Sequence, residues 1–183
     1  ILLHMLQKYN RWNVLKVFFD NPNPKGAGFQ LREIGRATDL APTSVKKYLE
    51  DLLKEDLIIK SKHRIHQYPV YWANRASEKF RSLKKMDMIF NIQNSGLIIY
   101  LQEKCMPDTI ILFGSASRGE DLKDSDIDLF LLCKETKLNL EPYEQQLKRK
   151  INIFYCNNFG TLSEELKNNM INGVVLSGYL KVF

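Results

Sequence analysis

Cysteine and tryptophan are scarce in this sequence of 183 residues, with three of the first and two of the second. Cys105, Cys133 and Cys156 are odd in number, lie far apart and form no Cys-x-x-Cys pair. That excludes a disulfide framework and a thiolate-rich structural metal site. Each thiol has an apolar residue beside it and reads as buried, in the reducing interior of the cytoplasm. Also lacking is any run of about 18 uncharged apolar residues, so no membrane-spanning segment is expected and no membrane partner. The apolar stretch Ile1 to Leu6 has no basic region ahead of it and does not read as a secretory signal. Met5 is a candidate start residue, with tag residues ahead of it. Internal repeats and low-complexity segments are absent as well.

Acidic charge is sparse at one end only. Residues 1–75 hold 13 Lys and Arg against 7 Asp and Glu, while residues 107–183 hold 9 against 11. The net charge of +6 therefore sits in the N-terminal part. A basic half suggests a polyanion partner, and acids gathered in the other half suggest cations. Plain solvated surface stays open as the alternative on charge alone.

Apolar residues recur at helical spacing over residues 5–20 (Met5, Leu6, Tyr9, Trp12, Val14, Leu15, Phe18, Phe19). Asn21-Pro22-Asn23-Pro24-Lys25-Gly26 stops that helix. Leu31 to Ala37 reads as a short helix. Pro42 suits the first position of the next one, which runs to about Glu55 with Val45, Leu49, Leu52 and Leu53 on its buried face. Ile58 to Ser61 and Gln67 to Ala73 read as two strands. Residues 76–106 are mostly helical, with an interruption between Asn91 and Gly96. Thr109 to Phe113 is uniformly apolar and partly β-branched, which indicates a buried strand. Asp126 to Leu132 and Ile151 to Cys156 are further strands, with a helix over Glu141 to Lys150 between them. Thr161-Leu162-Ser163-Glu164 has capping-box spacing and opens a last helix.

Three helices followed by a hairpin is the order of a winged helix. The stretch from Leu31 to Ile58 resembles the helix-turn-helix of prokaryotic transcription regulators. With Val45, Leu49 and Leu52 turned inward, Thr43, Ser44, Lys46 and Lys47 lie on the exposed side near the helix N-terminus. In helix-turn-helix proteins base edges are read there. Lys62, Arg64 and His63 would sit at the tip of the hairpin and touch backbone or minor groove. The resemblance implies double-stranded DNA as partner. Winged helices also serve as protein-interaction modules, and that alternative stays open.

The second signal is Leu112-Phe113-Gly114-Ser115-Ala116-Ser117-Arg118-Gly119 followed by Ser125-Asp126-Ile127-Asp128-Leu129. Gly-Ser, ten residues, then Asp-x-Asp is similar to the signature of minimal nucleotidyltransferases of the polymerase-beta-like superfamily. The chemistry explains the spacing. Period two in a strand puts Asp126 and Asp128 on one face with Ile127 in the core. Two carboxylates on one face make a hard anionic site suited to Mg²⁺, or Mn²⁺, carrying a nucleoside triphosphate. Gly114 lets backbone approach phosphates, and Ser115 adds a hydroxyl at a helix N-terminus. Arg118 pairs with a phosphate or holds the loop. Asp121 and Asp124 are expected to be solvated. The competing reading is that Asp126 and Asp128 merely cap a strand.

Complete members of that superfamily carry a third carboxylate on a later strand, which completes the metal site and helps to activate the attacking hydroxyl. The matching position here is Asn152, which is neutral and cannot act as a base. Glu141 and Glu144 precede that strand, and Glu164 and Glu165 follow it.

These observations imply an α+β or α/β chain in three parts. Residues 1–75 form a winged helix of three helices and a β-hairpin wing. Residues 76–106 form a helical connector with a dimerising surface. Residues 107–183 form a small mixed-sheet nucleotidyltransferase fold. The expected function is a DNA-binding regulator, acting as a homodimer, whose nucleotidyltransferase domain binds Mg-nucleotide with weakened or lost catalysis. The alternative is an active enzyme that transfers a nucleoside monophosphate to a protein, nucleic-acid or small-molecule hydroxyl. A role as an antitoxin with a small helical partner toxin is a further alternative.

Overall fold

The structure is a computed structural model that describes residues 10–22 and 28–181. Met5 to Tyr9 of the first expected helix, and Asn23 to Gly26 of the turn after it, lie outside the described residues. The chain divides into two compact units between Lys84 and Lys85.

The first unit contains α1 (Asn10–Asp20), α2 (Leu31–Thr38), α3 (Pro42–Lys54), β1 (Ile58–Lys62) and β2 (Pro69–Ala73). Its core gathers Val14, Leu15, Phe18 and Phe19 from α1, Ile34 from α2, and Val45, Leu49 and Leu52 from α3. Helical periodicity selects those residues, and burial of about 1.5–3 kcal/mol per large apolar side chain holds them. A capping box opens α2: the Gln30 N–H donates to Glu33 at 2.7 Å. Asp39, at φ 54°, closes it in the left-handed region. Ala41 supplies no side-chain cap to α3, and Pro42 stands in its first turn.

β1 and β2 pair antiparallel from Ile58↔Ala73 to Lys62↔Pro69. The second strand starts later than its sequence pattern suggests, because Gln67 (φ 59°) still belongs to the turn and donates its N–H to His63 O at 3.0 Å. The His63 Nδ1 accepts the N–H groups of Ile65 and His66 at 3.3 and 3.2 Å.

Residues 76–106 form two helices, α4 (Glu78–Asn94) and α5 (Leu97–Cys105), separated where Gly96 takes φ 79°. Phe80 and Leu83 of α4 pack in the core of the first unit. Ile92 of α4 and Leu97, Ile98 and Leu101 of α5 pack in the core of the second.

The second unit is built on a sheet of four strands, β3 (Thr109–Phe113), β4 (Ile127–Leu132), β5 (Ile151–Cys156) and β6 (Val174–Gly178), in the order β5-β4-β3-β6. β3 pairs antiparallel with β4 and with β6, and β4 pairs parallel with β5. Between β3 and β4 lies the short helix α6 (Gly114–Arg118). A parallel pair needs a crossover, and α7 (Glu141–Leu147) lies in it. Ile110, Leu112, Ile127, Leu129, Leu131 and Ile151 form one buried cluster with α4 and α5 residues. Ile111 and Phe130 form another with Phe159 and with Met170 of α8 (Glu164–Ile171).

Three features differ from the sequence reading. β6 has no counterpart in it: the apolar run there is only Val174-Val175-Leu176, too short to separate from a helix tail by periodicity. The last helix is capped by Ser163, whose side chain accepts from Leu166 N, while Thr161 belongs to a 3₁₀ turn. α7 stops at Leu147 because Lys148 turns left-handed at φ 55° and leads into β5.

Candidate functional site

β3 delivers the chain to Gly114, where it turns at once into α6. Gly114 has φ +70°, a conformation that favours glycine. A Cβ built there would stand 2.5 Å from the Asp128 Oδ2. The two ends of the Gly-Ser…Asp-x-Asp pattern therefore touch, because β3 and β4 pair in the register Phe113↔Asp128. Ser115 is half-buried, and Ser117 donates its hydroxyl to Gly114 O at 2.8 Å.

β4 alternates as expected: Ile127 is fully buried and Asp128 is half-buried on the opposite face. Asp126, one residue ahead of the strand, is exposed. The parallel register sets Asp128 beside Asn152. The Asn152 Nδ2 donates to Asp126 Oδ2 at 3.0 Å and to Asp128 Oδ1 at 3.2 Å. Both carboxylates thus converge on one atom, and that atom is a hydrogen-bond donor. Among the described residues no group of three or more His, Cys, Asp or Glu side chains could hold a metal ion. Glu144 is directed elsewhere: it accepts from Lys150 Nζ at 2.8 Å and from Ile151 N at 3.0 Å. Those two donors hold its carboxyl below the usual range, and Glu144 in turn raises the Lys150 ammonium.

Arg118 does not join the acids. It is exposed and pairs with Glu120 through Nε at 2.8 Å. Asp124 is exposed as expected, but Asp121 is not: it is 1% exposed and ion-paired with Arg149 Nη2 at 2.9 Å. The expectation of a solvated Asp121 fails because a buried carboxylate becomes tolerable once a guanidinium meets it. Arg149 Nη1 also donates to Leu122 O at 2.7 Å and Ser125 O at 3.0 Å. Sequence reasoning missed both residues, since nothing in a linear pattern pairs a loop acid with an arginine one crossover away.

In the first unit, Val45, Leu49 and Leu52 are buried, which leaves Thr43, Lys46 and Lys47 exposed and Ser44 half-buried along the start of α3. Lys62 ends β1 and Arg64 lies in the hairpin turn, both exposed. His63, His66 and Tyr68 stack on one another there, with centroids 4.6–5.9 Å apart.

The second unit thus combines a small mixed sheet with a glycine turn packed against an Asp-x-Asp strand. The family model described as polymerase beta, nucleotidyltransferase matches residues 95–178. The second unit is thus a nucleotidyltransferase-fold domain. No curated protein and no solved structure matches the chain. No helix among the described residues is long and apolar enough to cross a membrane.

Proposed function

We propose that the protein is a DNA-binding regulator whose nucleotidyltransferase-fold domain binds a Mg-nucleoside triphosphate and transfers its nucleotidyl group poorly or not at all. The observation that carries this reading is the Asn152 amide donating to both Asp126 and Asp128. The two carboxylates supply hard oxygen ligands of the kind a divalent cation takes, and the Asn152 amide occupies the point on which they converge, so the cation would have to displace that donor. Asp126 and Asp128 would hold the ion, with Gly114, Ser115 and Arg118 near the phosphates. The ion would supply neutralisation of triphosphate charge. Asn152 has no basic oxygen to accept a proton from an attacking hydroxyl. General base catalysis contributes about 10²–10⁴-fold, so its loss weakens turnover more than binding.

The DNA half of the reading rests on the helix order, the basic N-terminal charge and the row Thr43, Ser44, Lys46 and Lys47, with Lys62 and Arg64 in the hairpin as the wing. We read the first unit as a winged helix that works in a homodimer.

Calorimetric titration with Mg-ATP and Mg-GTP, beside a transfer assay with labelled nucleotide and cell extract, tests the nucleotide half. Saturable binding that disappears in Asp126→Ala/Asp128→Ala, with little or no transfer, supports the proposal; no binding of either nucleotide sinks it. The intact Gly114-Ser115 and Asp126-x-Asp128 pattern supports a second reading, an active nucleotidyltransferase acting on a protein, nucleic-acid or small-molecule hydroxyl, as in an antitoxin paired with a helical toxin. Efficient transfer that vanishes in the same double variant would replace the first reading with this one.

A further inference from the structure

Both flanks of Asp126 are tied to two consecutive residues just ahead of β5. On one side, Ser125 O accepts from Arg149 Nη1 at 3.0 Å. On the other, Ile127 N donates to Lys150 O at 2.8 Å. Two residues further on, Asn152 reaches Asp126 and Asp128. One short segment therefore fixes the acid loop, the acid strand and the amide between them.

Arg149 does more than touch the loop. Its guanidinium serves Asp121 Oδ2 with Nη2, and Leu122 O and Ser125 O with Nη1. The loop is also closed on itself: Ser125 N donates to Leu122 O at 3.1 Å, and Leu122 N donates to Ser125 Oγ at 2.9 Å. The pair is dry, with side-chain exposures of 9% for Arg149 and 0% for Asp121. Burying two charges is an inefficient way to gain stability, because apolar replacements of similar volume do as well or better. What the pair provides is geometry. A planar fork can bridge a carboxylate and two carbonyls together, and a lysine ammonium cannot hold that fixed arrangement.

We propose that Arg149, anchored by Asp121, is the positioning residue of the acid site: it sets the 121–125 loop so that Asp126 and Asp128 converge on one point. Its functional meaning rests on the nucleotide-binding reading above. Its structural content does not, because the Asn152 side-chain amide reports the convergence without any ligand.

The test uses the full chain with ¹⁵N labelling and the variants Arg149→Met, Arg149→Lys and Asp121→Asn. The Asn152 side-chain amide signals, assigned by their loss in Asn152→Asp, are followed beside Mn²⁺ affinity measured by calorimetry. Arg149→Met should shift the Asn152 amide protons, speed their exchange at least tenfold and weaken Mn²⁺ binding at least tenfold. Arg149→Lys should give a smaller loss in the same direction, and Asp121→Asn should leave the loop less fixed than wild type. If Arg149→Met does not fold, Arg149→Lys decides by the same readouts. Amide signals unchanged in every folded variant, with exchange within twofold of wild type, would overturn the proposal. Wild-type protein that binds no Mn²⁺ or nucleotide would remove the nucleotide reading alone, and the amide signals would still judge Arg149.

Discussion

The carboxylate of Asp128 fills the space that a side chain at Gly114 would take, at 2.5 Å from an ideal Cβ. Gly114 is thus fixed by two independent conditions, its left-handed φ of +70° and this close approach. Gly114 and Asp128 are one packing unit.

Replacing Gly114 with Ala should therefore destabilise the second unit by about 1–2 kcal/mol from backbone conformation alone, with more from displacing Asp128. Asp128→Ala removes the obstructing carboxylate. In a double-mutant cycle followed by urea unfolding, the two changes should cost less together than separately, by at least about 0.5 kcal/mol. Strict additivity would show that the Asp128 carboxylate does not constrain Gly114.

Asn152→Asp should convert a donor between two acids into a third anion. Without metal, three carboxylates crowd one point and the variant should melt below wild type. With Mn²⁺ or Mg²⁺ the order should reverse, and the metal-induced rise in Tm should exceed that of wild type. Transfer from labelled nucleotide should rise by one or more orders of magnitude if a missing base is the defect. A variant with wild-type metal response would show that Asn152 is not the residue that weakens the site.

The acid strand is legible in the sequence because its signals are local. Alternation puts Ile127 inside and Asp128 outside, and uniform apolarity marks β3. Asn152 is also visible, since the β5 run of Ile151 to Cys156 has a clear apolar pattern. Arg149 with Asp121 is not legible, because an arginine beside a lysine before a strand reads as solvated charge until the fold brings the 121–125 loop to it. β6 escapes because an edge strand of five residues, with Val175 about half exposed, carries too little periodicity. The end of α7 escapes because lysine is a poor signal for a left-handed cap.

Alkaline pH should loosen the second unit. Burial, with Cys105 nearby, pushes the Cys133 thiol up to about 11, and burial likewise pushes Tyr155 up to about 12. The unfolded chain releases these protons earlier, near 9 and 10. Their contribution to stability is therefore complete below about pH 9 and is lost as pH rises towards 11 and 12. Urea unfolding from about pH 8 to 11 should show a falling midpoint, and Cys133→Ala with Tyr155→Phe should flatten that fall. A slope unchanged in the double variant would assign the alkaline loss to other groups.

The proposed DNA binding would make two separable demands on α3. Lys46 and Lys47 are exposed cations, and in the proposed DNA complex their contacts with phosphates would be electrostatic and insensitive to sequence. Thr43 is exposed nearer the helix N-terminus, where helix-turn-helix proteins meet base edges. Lys46→Ala/Lys47→Ala should weaken binding to all duplexes alike and lower the slope of log K against log salt by about 0.9 for each phosphate left without its lysine. Thr43→Ala should leave that slope unchanged and narrow the gap between a selected site and random duplex by about 1–3 kcal/mol for each base it reads. Mobility-shift titrations at about 50–200 mM salt, on a site selected from random duplexes, measure both quantities. If wild-type protein binds no duplex at the lowest salt, the DNA-binding reading is lost.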